Sequence, residues 1–231
     1  MKTAIVIPAR STSNRLPRKH LMEITPGMTL IQVLLERMKM ITPEVDIILA
    51  TPLEDIAYQE VARDEGVKWF GGPQYRVLER VVKATRGYET IVLVNGDSPL
   101  MCPRLIDRMI KTFEHDGLEV LVNRGPSGFR AKVIQGRFLG KWLEWVDRAM
   151  EHILQPGISQ KRDSFCMSHS TIKFSIDTME DLQYIRWLMK EVDLDAPLRT
   201  IVKTAIALGS YTNNGTGDPT GHSPIGSTPV D

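Results

Sequence analysis

The chain reads as an α/β protein, a three-layer α/β/α sandwich built on a mainly parallel sheet. Two observations predict this. Short apolar, β-branched runs alternate with segments of helical period along most of the 231 residues, and strand alternating with helix implies parallel pairing. Runs such as Ile47-Ile48-Leu49-Ala50 and Ile91-Val92-Leu93-Val94 are apolar throughout, as suits strands covered on both faces. A chain of this length buries a sizeable core without disulfides or metals.

The first strand, near residues 3–8, carries Ile5-Val6-Ile7 and runs into Pro8-Ala9-Arg10-Ser11-Thr12-Ser13-Asn14-Arg15-Leu16-Pro17-Arg18-Lys19. Helical spacing then predicts helices near 29–40, 54–65, 75–86 and 103–115, with strands near 45–51, 67–70, 89–95 and 118–123. Residues 124–170 break the rhythm. Gly125, Pro126, Gly128, Gly136, Pro156 and Gly157 bracket a helix near 138–151 that holds Trp142 and Trp145, so the stretch is expected to leave the sheet. Core packing is the expected use of the two tryptophans. A strand near 171–176 and a helix near 179–190 follow, and a short helix over Leu198–Leu208 closes a single domain spanning 1–209. From Ser210 onward, 16 of 22 residues are Gly, Pro, Ser, Thr or Asn. That composition offers too little apolar surface to offset the entropy of ordering, so 210–231 is expected to be a disordered tail.

Composition excludes several function classes. With 29 basic and 28 acidic residues the formal charge is +1, so there is no global basic field of the kind that marks nucleic-acid or membrane-surface proteins. Cys102 and Cys166 show neither disulfide-framework nor zinc spacing, and His20, His115, His152, His169 and His222 make no paired ligand pattern. Met1-Lys2-Thr3 enters a strand with no long apolar leader, and no apolar run approaches ~18 residues, so a cytoplasmic protein without a membrane span is expected.

Against that neutral background the first loop stands out. Arg10, Arg15, Arg18 and Lys19, with hydroxyls at Ser11, Thr12 and Ser13, put forked guanidiniums, an ammonium and neutral donors on one segment, a mixture suited to a phosphate chain. A solvated basic surface is the competing reading. Open α/β sheets bind ligands outside the carboxyl ends of their strands, where this loop lies. It is neither a P-loop nor a Gly-x-Gly-x-x-Gly turn. Asp97 follows the strand Ile91–Val94 and is either an oxygen ligand for a hard cation or a turn residue in Gly96-Asp97-Ser98-Pro99. Asp177 ends Lys173-Phe174-Ser175-Ile176, just before the capping-box pattern Thr178-Met179-Glu180-Asp181. With Thr178 as the cap, Asp177 is left free.

The run from Pro8 to Lys19 resembles the signature of the cytidylyltransferases that activate acidic sugars, which include CMP-Kdo and CMP-sialic acid synthetases and spore-coat polysaccharide cytidylyltransferases. The resemblance continues in order through Arg76-Val77-Leu78-Glu79-Arg80, Asn95-Gly96-Asp97-Ser98-Pro99-Leu100, Glu151-His152-Ile153 and Ile176 to Leu182, covering roughly residues 1 to 190. It implies the fold of nucleotide-diphospho-sugar transferases. It further implies transfer of CMP from CTP to an acidic sugar, release of pyrophosphate, Mg²⁺ held by Asp97 and Asp177, and a homodimer with 124–170 covering the acceptor. Arg10 and Lys19 would hold the triphosphate and, with Asp97, serve catalysis; Arg15 would add a second clamp. Ala9, Ser11, Arg80, Asn95 and Gly96 would contact the nucleotide, and His152 and Arg130 the acceptor.

The sequence departs from the family pattern in three places. Arg18 stands where Pro-Gly-Lys is usual, Arg76 replaces an acidic residue, and Gly128-Phe129-Arg130-Ala131-Lys132 replaces a segment that tends to be acidic in spore-coat members. Arg130 and Lys132 favour an anionic acceptor. Two other readings stay open: a sugar-phosphate nucleotidyltransferase making an NDP-sugar, and a non-catalytic nucleotide-binding scaffold.

Overall fold

The computed structural model describes residues 2–123, 125–143, 160–163 and 172–209. A seven-stranded sheet runs in the order β5 (Lys68–Gly72), β4 (Asp46–Pro52), β1 (Thr3–Pro8), β6 (Thr90–Val94), β8 (Ala131–Gln135), β7 (Val120–Asn123) and β9 (Gln160–Asp163). All neighbours pair parallel except β8, which runs antiparallel to both β6 and β7. The sheet is mainly parallel, as the strand composition predicts.

Helices cover both faces. Ile5 and Ile7 point to the face covered by α1 (Leu30–Lys39), α2 (Ile56–Asp64), α4 (Pro103–His115), α6 (Met179–Leu188) and α7 (Leu198–Ala207). Val6 points to the other, where Leu78 and Val81 of α3 (Val77–Ala84) and Leu139 of α5 (Gly136–Leu143) pack. Consecutive residues of β1 thus bury on opposite sides, which is why the strand carries no polar alternation. Pro103 opens α4 at a position where its missing N–H costs nothing. Arg37 is buried on α1, and its guanidinium donates to the carbonyls of Met101, Leu194 and Ala196, tying that helix to the turn before α4 and the loop before α7. Burial lowers its pKa.

Three details differ from expectation. Residues 131–135, read as part of an excursion, form β8 in the middle of the sheet. A strand expected near 171–176 is a single parallel bridge between Ser127 and Lys173. A hairpin of β2 (Glu23–Thr25) and β3 (Met28–Thr29), preceded by a 3₁₀ turn over Lys19–Leu21, was too short to give a periodic signal. Trp145, Cys166 and the 210–231 tail lie outside the described residues, as do the side chain of Trp142 and most of the 138–151 helix. Among the described residues no helix is long and apolar enough to cross a membrane.

Candidate active site

The carboxyl ends of β1 and β6, the loop after β1, the approach to α6 and the start of β8 enclose a cleft of about 710 Å³. Ala9, Arg10, Arg15, Lys19, Arg80, Asn95, Gly96, Asp97, Arg130 and Asp177 all line it. Residues up to 168 positions apart in sequence, from Ala9 to Asp177, are gathered because parallel strands deliver their following loops to one edge. Gly96 is what lets two of those loops meet: a Cβ there would stand 2.6 Å from the Pro8 carbonyl oxygen.

At the centre of the cleft the two aspartates face one ammonium. Lys19 Nζ donates to Asp97 Oδ2 at 3.1 Å, to Asp177 Oδ1 at 3.0 Å and to the Ile176 carbonyl at 2.5 Å. Arg15 donates a further bond to Asp177 Oδ1 at 2.8 Å. Burial acts to raise the pKa of the Asp177 carboxyl, but the charge and hydrogen bond of Lys19, then Lys173 and Arg15, outweigh it and hold the group below its ordinary value. Among the described residues no cluster of three or more His, Cys, Asp or Glu side chains is placed to hold a metal. A pair of carboxylates converging on one cation nevertheless fits Mg²⁺, which takes one or two carboxylates and completes its shell with water and phosphate oxygens.

Asp177 is fixed from behind. The buried Asp181 carboxylate accepts from the backbone N–H of Asp177 at 2.8 Å and of Thr178 at 2.9 Å, while Lys173 Nζ donates to it at 2.5 Å. The Thr178 hydroxyl in turn accepts from the Asp181 N–H. The expected capping box therefore does two jobs: it starts α6 and it immobilises the residue before the cap.

The first loop is anchored rather than free. Ser11, expected to contact nucleotide, gives both its backbone N–H and its hydroxyl to Asp55, at 2.9 and 2.5 Å. Arg18 adopts φ 56°, ψ 21°, among the described residues the one positive φ that is not glycine. His20 lies buried on the cleft floor with Nδ1 3.1 Å from the Arg10 carbonyl and 3.2 Å from the Tyr58 hydroxyl. Burial, and then the charge of Lys19, lower its pKa to about 4, so the ring is neutral near pH 7. Burial, then Asp55, raise the pKa of Tyr58 and keep that phenol protonated. Arg80 is also buried, its guanidinium spent on the carbonyls of Ala50, Pro73 and Gln74, and burial lowers its pKa to about 10. Arg10 lines the cleft beside it.

On the far wall, Asn123 pins the turn that presents Arg130: its amide donates to the Phe129 carbonyl and its oxygen accepts from the Ala131 N–H. Arg130 Nε donates to the Gly125 carbonyl at 2.9 Å, and Lys132, paired in register with Leu93, lines the same wall. His152, expected near the acceptor, lies outside the described residues. Sequence reasoning missed the site roles of His20, Asp55, Asp181 and Lys173. For Asp181 a signal existed in the capping box; for the other three no local sequence motif carries one.

Comparison with known proteins adds a family. The sequence model described as cytidylyltransferase matches residues 4–135. An uncharacterized protein of Methanocaldococcus jannaschii is 28% identical over 218 residues, covering 87% of this chain and 89% of that protein. The 3-deoxy-manno-octulosonate cytidylyltransferase of Chlorobium phaeovibrioides is 33% identical over 115 residues, a match of 49% of this chain to 46% of that enzyme. Among solved structures, a cytidylyltransferase from Leptospira borgpetersenii superposes with a TM-score of 0.83 over 90% of this chain and 94% of that one. At 23% identity, that likeness is one of fold.

Proposed function

The chain belongs to the cytidylyltransferase family, and from that premise we propose that it joins CTP to a hydroxyl of an acidic sugar, giving a CMP-sugar and pyrophosphate. The observation that carries this reading is the convergence of Asp97 and Asp177 on Lys19 in a cleft that Arg10 and Arg15 of the first loop also line. Nucleotidyl transfer needs carboxylates for a hard cation and fixed positive charge for phosphate oxygens, and this edge of the sheet has both.

In the proposed reaction the acceptor oxygen forms a bond to the α-phosphorus as the bond to the β-phosphate bridge breaks, and the hydroxyl proton passes to solvent. Asp97 and Asp177 would hold Mg²⁺, which supplies charge neutralisation at the phosphate oxygens when bound. Arg10 and Arg15 bind the triphosphate, and Ala9, Asn95 and Gly96 offer backbone and amide groups to the nucleoside. Arg130 and Lys132 orient an acceptor carboxylate, which supports a sugar acid as the substrate class. The Chlorobium relative is named for such an acid, an octulosonate. The resemblance also supports a homodimer.

Product mass is the test. The enzyme is incubated with CTP, Mg²⁺ and a panel of sugar acids and sugar phosphates. A CMP-sugar acid with stoichiometric pyrophosphate is expected. A nucleoside diphosphate sugar would show that the acceptor is a sugar phosphate. Nucleotide binding without pyrophosphate release would point to a scaffold.

A further inference from the structure

Resting on the metal-dependent reading above, we propose that Lys19 is an internal cation that holds the divalent-cation position between Asp97 and Asp177 and yields it when metal and nucleotide bind together. An ammonium has three donors, and Asp97 Oδ2, Asp177 Oδ1 and the Ile176 carbonyl account for all three. Those are the oxygen types a hard divalent cation takes. The Lys19 side chain is only 7% exposed, against 26% for Asp97 and 16% for Asp177, so little water screens the two carboxylates from each other and the ammonium offsets their repulsion.

A divalent ion and an ammonium cannot share this point, because like charges a few ångströms apart repel strongly in a half-buried site. Metal entry therefore displaces Nζ. Lysine suits that exchange, being a compact charge on a flexible stem, whereas a guanidinium fork would be harder to release. The displaced ammonium stays in the cleft, where a phosphate chain offers it new partners. Asp177 keeps its orientation through Lys173 and through the Asp181 carboxylate, which accepts from its backbone N–H. Metal and nucleotide each favour release of the same ammonium, so each tightens binding of the other, and by linkage the effect is reciprocal.

The test titrates the wild-type protein, Lys19→Met, Lys19→Gln and Lys19→Arg with Mn²⁺ alone, reading free Mn²⁺ by electron paramagnetic resonance, and repeats each titration with CTP. Both neutral variants are expected to bind Mn²⁺ alone at least about tenfold more tightly than wild type, with the enhancement by CTP reduced. Lys19→Arg, whose fork is harder to release, should bind Mn²⁺ no more tightly than wild type. Thermal melting should show a larger Mn²⁺-induced rise for whichever neutral variant folds. Unchanged or weaker Mn²⁺ binding by the neutral variants overturns the proposal. The metal reading survives that result if wild type binds Mn²⁺ with CTP and Asp97→Asn does not. Absence of Mn²⁺ binding by every protein, with CTP or without, overturns both.

Discussion

Arg18 pays a local conformational penalty that glycine would not. At φ 56° its Cβ crowds the following carbonyl, a clash worth roughly 1–2 kcal/mol for an L-residue, set against the ~0.5–1 kcal/mol of extra chain entropy glycine loses on folding. The backbone geometry accounts for the family's Pro-Gly-Lys pattern at this turn. Arg18→Gly should raise stability by about 0.5–1 kcal/mol and Tm by ~1–4 °C, checked by thermal melting. His20 makes the opposite kind of demand, since it must stay neutral to remain buried. Its ordinary pKa of 6.5 falls to about 4 in the folded protein, so between those values the unfolded chain holds a proton that the folded chain does not. Stability should therefore rise with pH across that window and be lost on acidification through it. Urea unfolding at about pH 7 and about pH 4.5 should show that loss shrinking in His20→Asn.

The boundaries of β1, β4, β6, α1 and α4 were legible to within a residue or two because each combines a long apolar pattern with a clear stop. β8 was not: it is flanked by Gly125, Pro126, Gly128 and Gly136, and turn residues in the sequence masked a strand whose burial comes from β6 and β7 on either side. A tertiary neighbour decided what local composition could not. The start of α6 shows the reverse case, where a legible capping box conceals a second task. Asp181 is 2% exposed and holds both the helix start and the backbone of Asp177. Asp181→Ala removes the side-chain half of the capping box and leaves Lys173 without its shortest ion pair, so a loss of about 2–3 kcal/mol is expected in urea unfolding.

At the scale of the whole molecule, the site was legible as separate segments and became a site only through topology. Ten of the residues singled out from sequence line one cleft because β1 and β6 are adjacent and parallel, and because the 172–178 segment crosses their carboxyl ends. What each of them touches was not legible. Ser11 and Arg80 are spent on protein partners, and Lys19 is shared between two carboxylates, facts that depend on side chains such as Asp55 arriving from other loops.

The proposed function makes this cleft a CTP site completed by a divalent cation. Isothermal titration with CTP, UTP, ATP and GTP, each with and without Mg²⁺, tests it most directly. Mg²⁺-dependent binding that is strongest for CTP, and lost in Asp97→Asn without a change in melting temperature, is the expected result. Preference for another nucleotide, or CTP binding indifferent to Mg²⁺ and to Asp97, would contradict it.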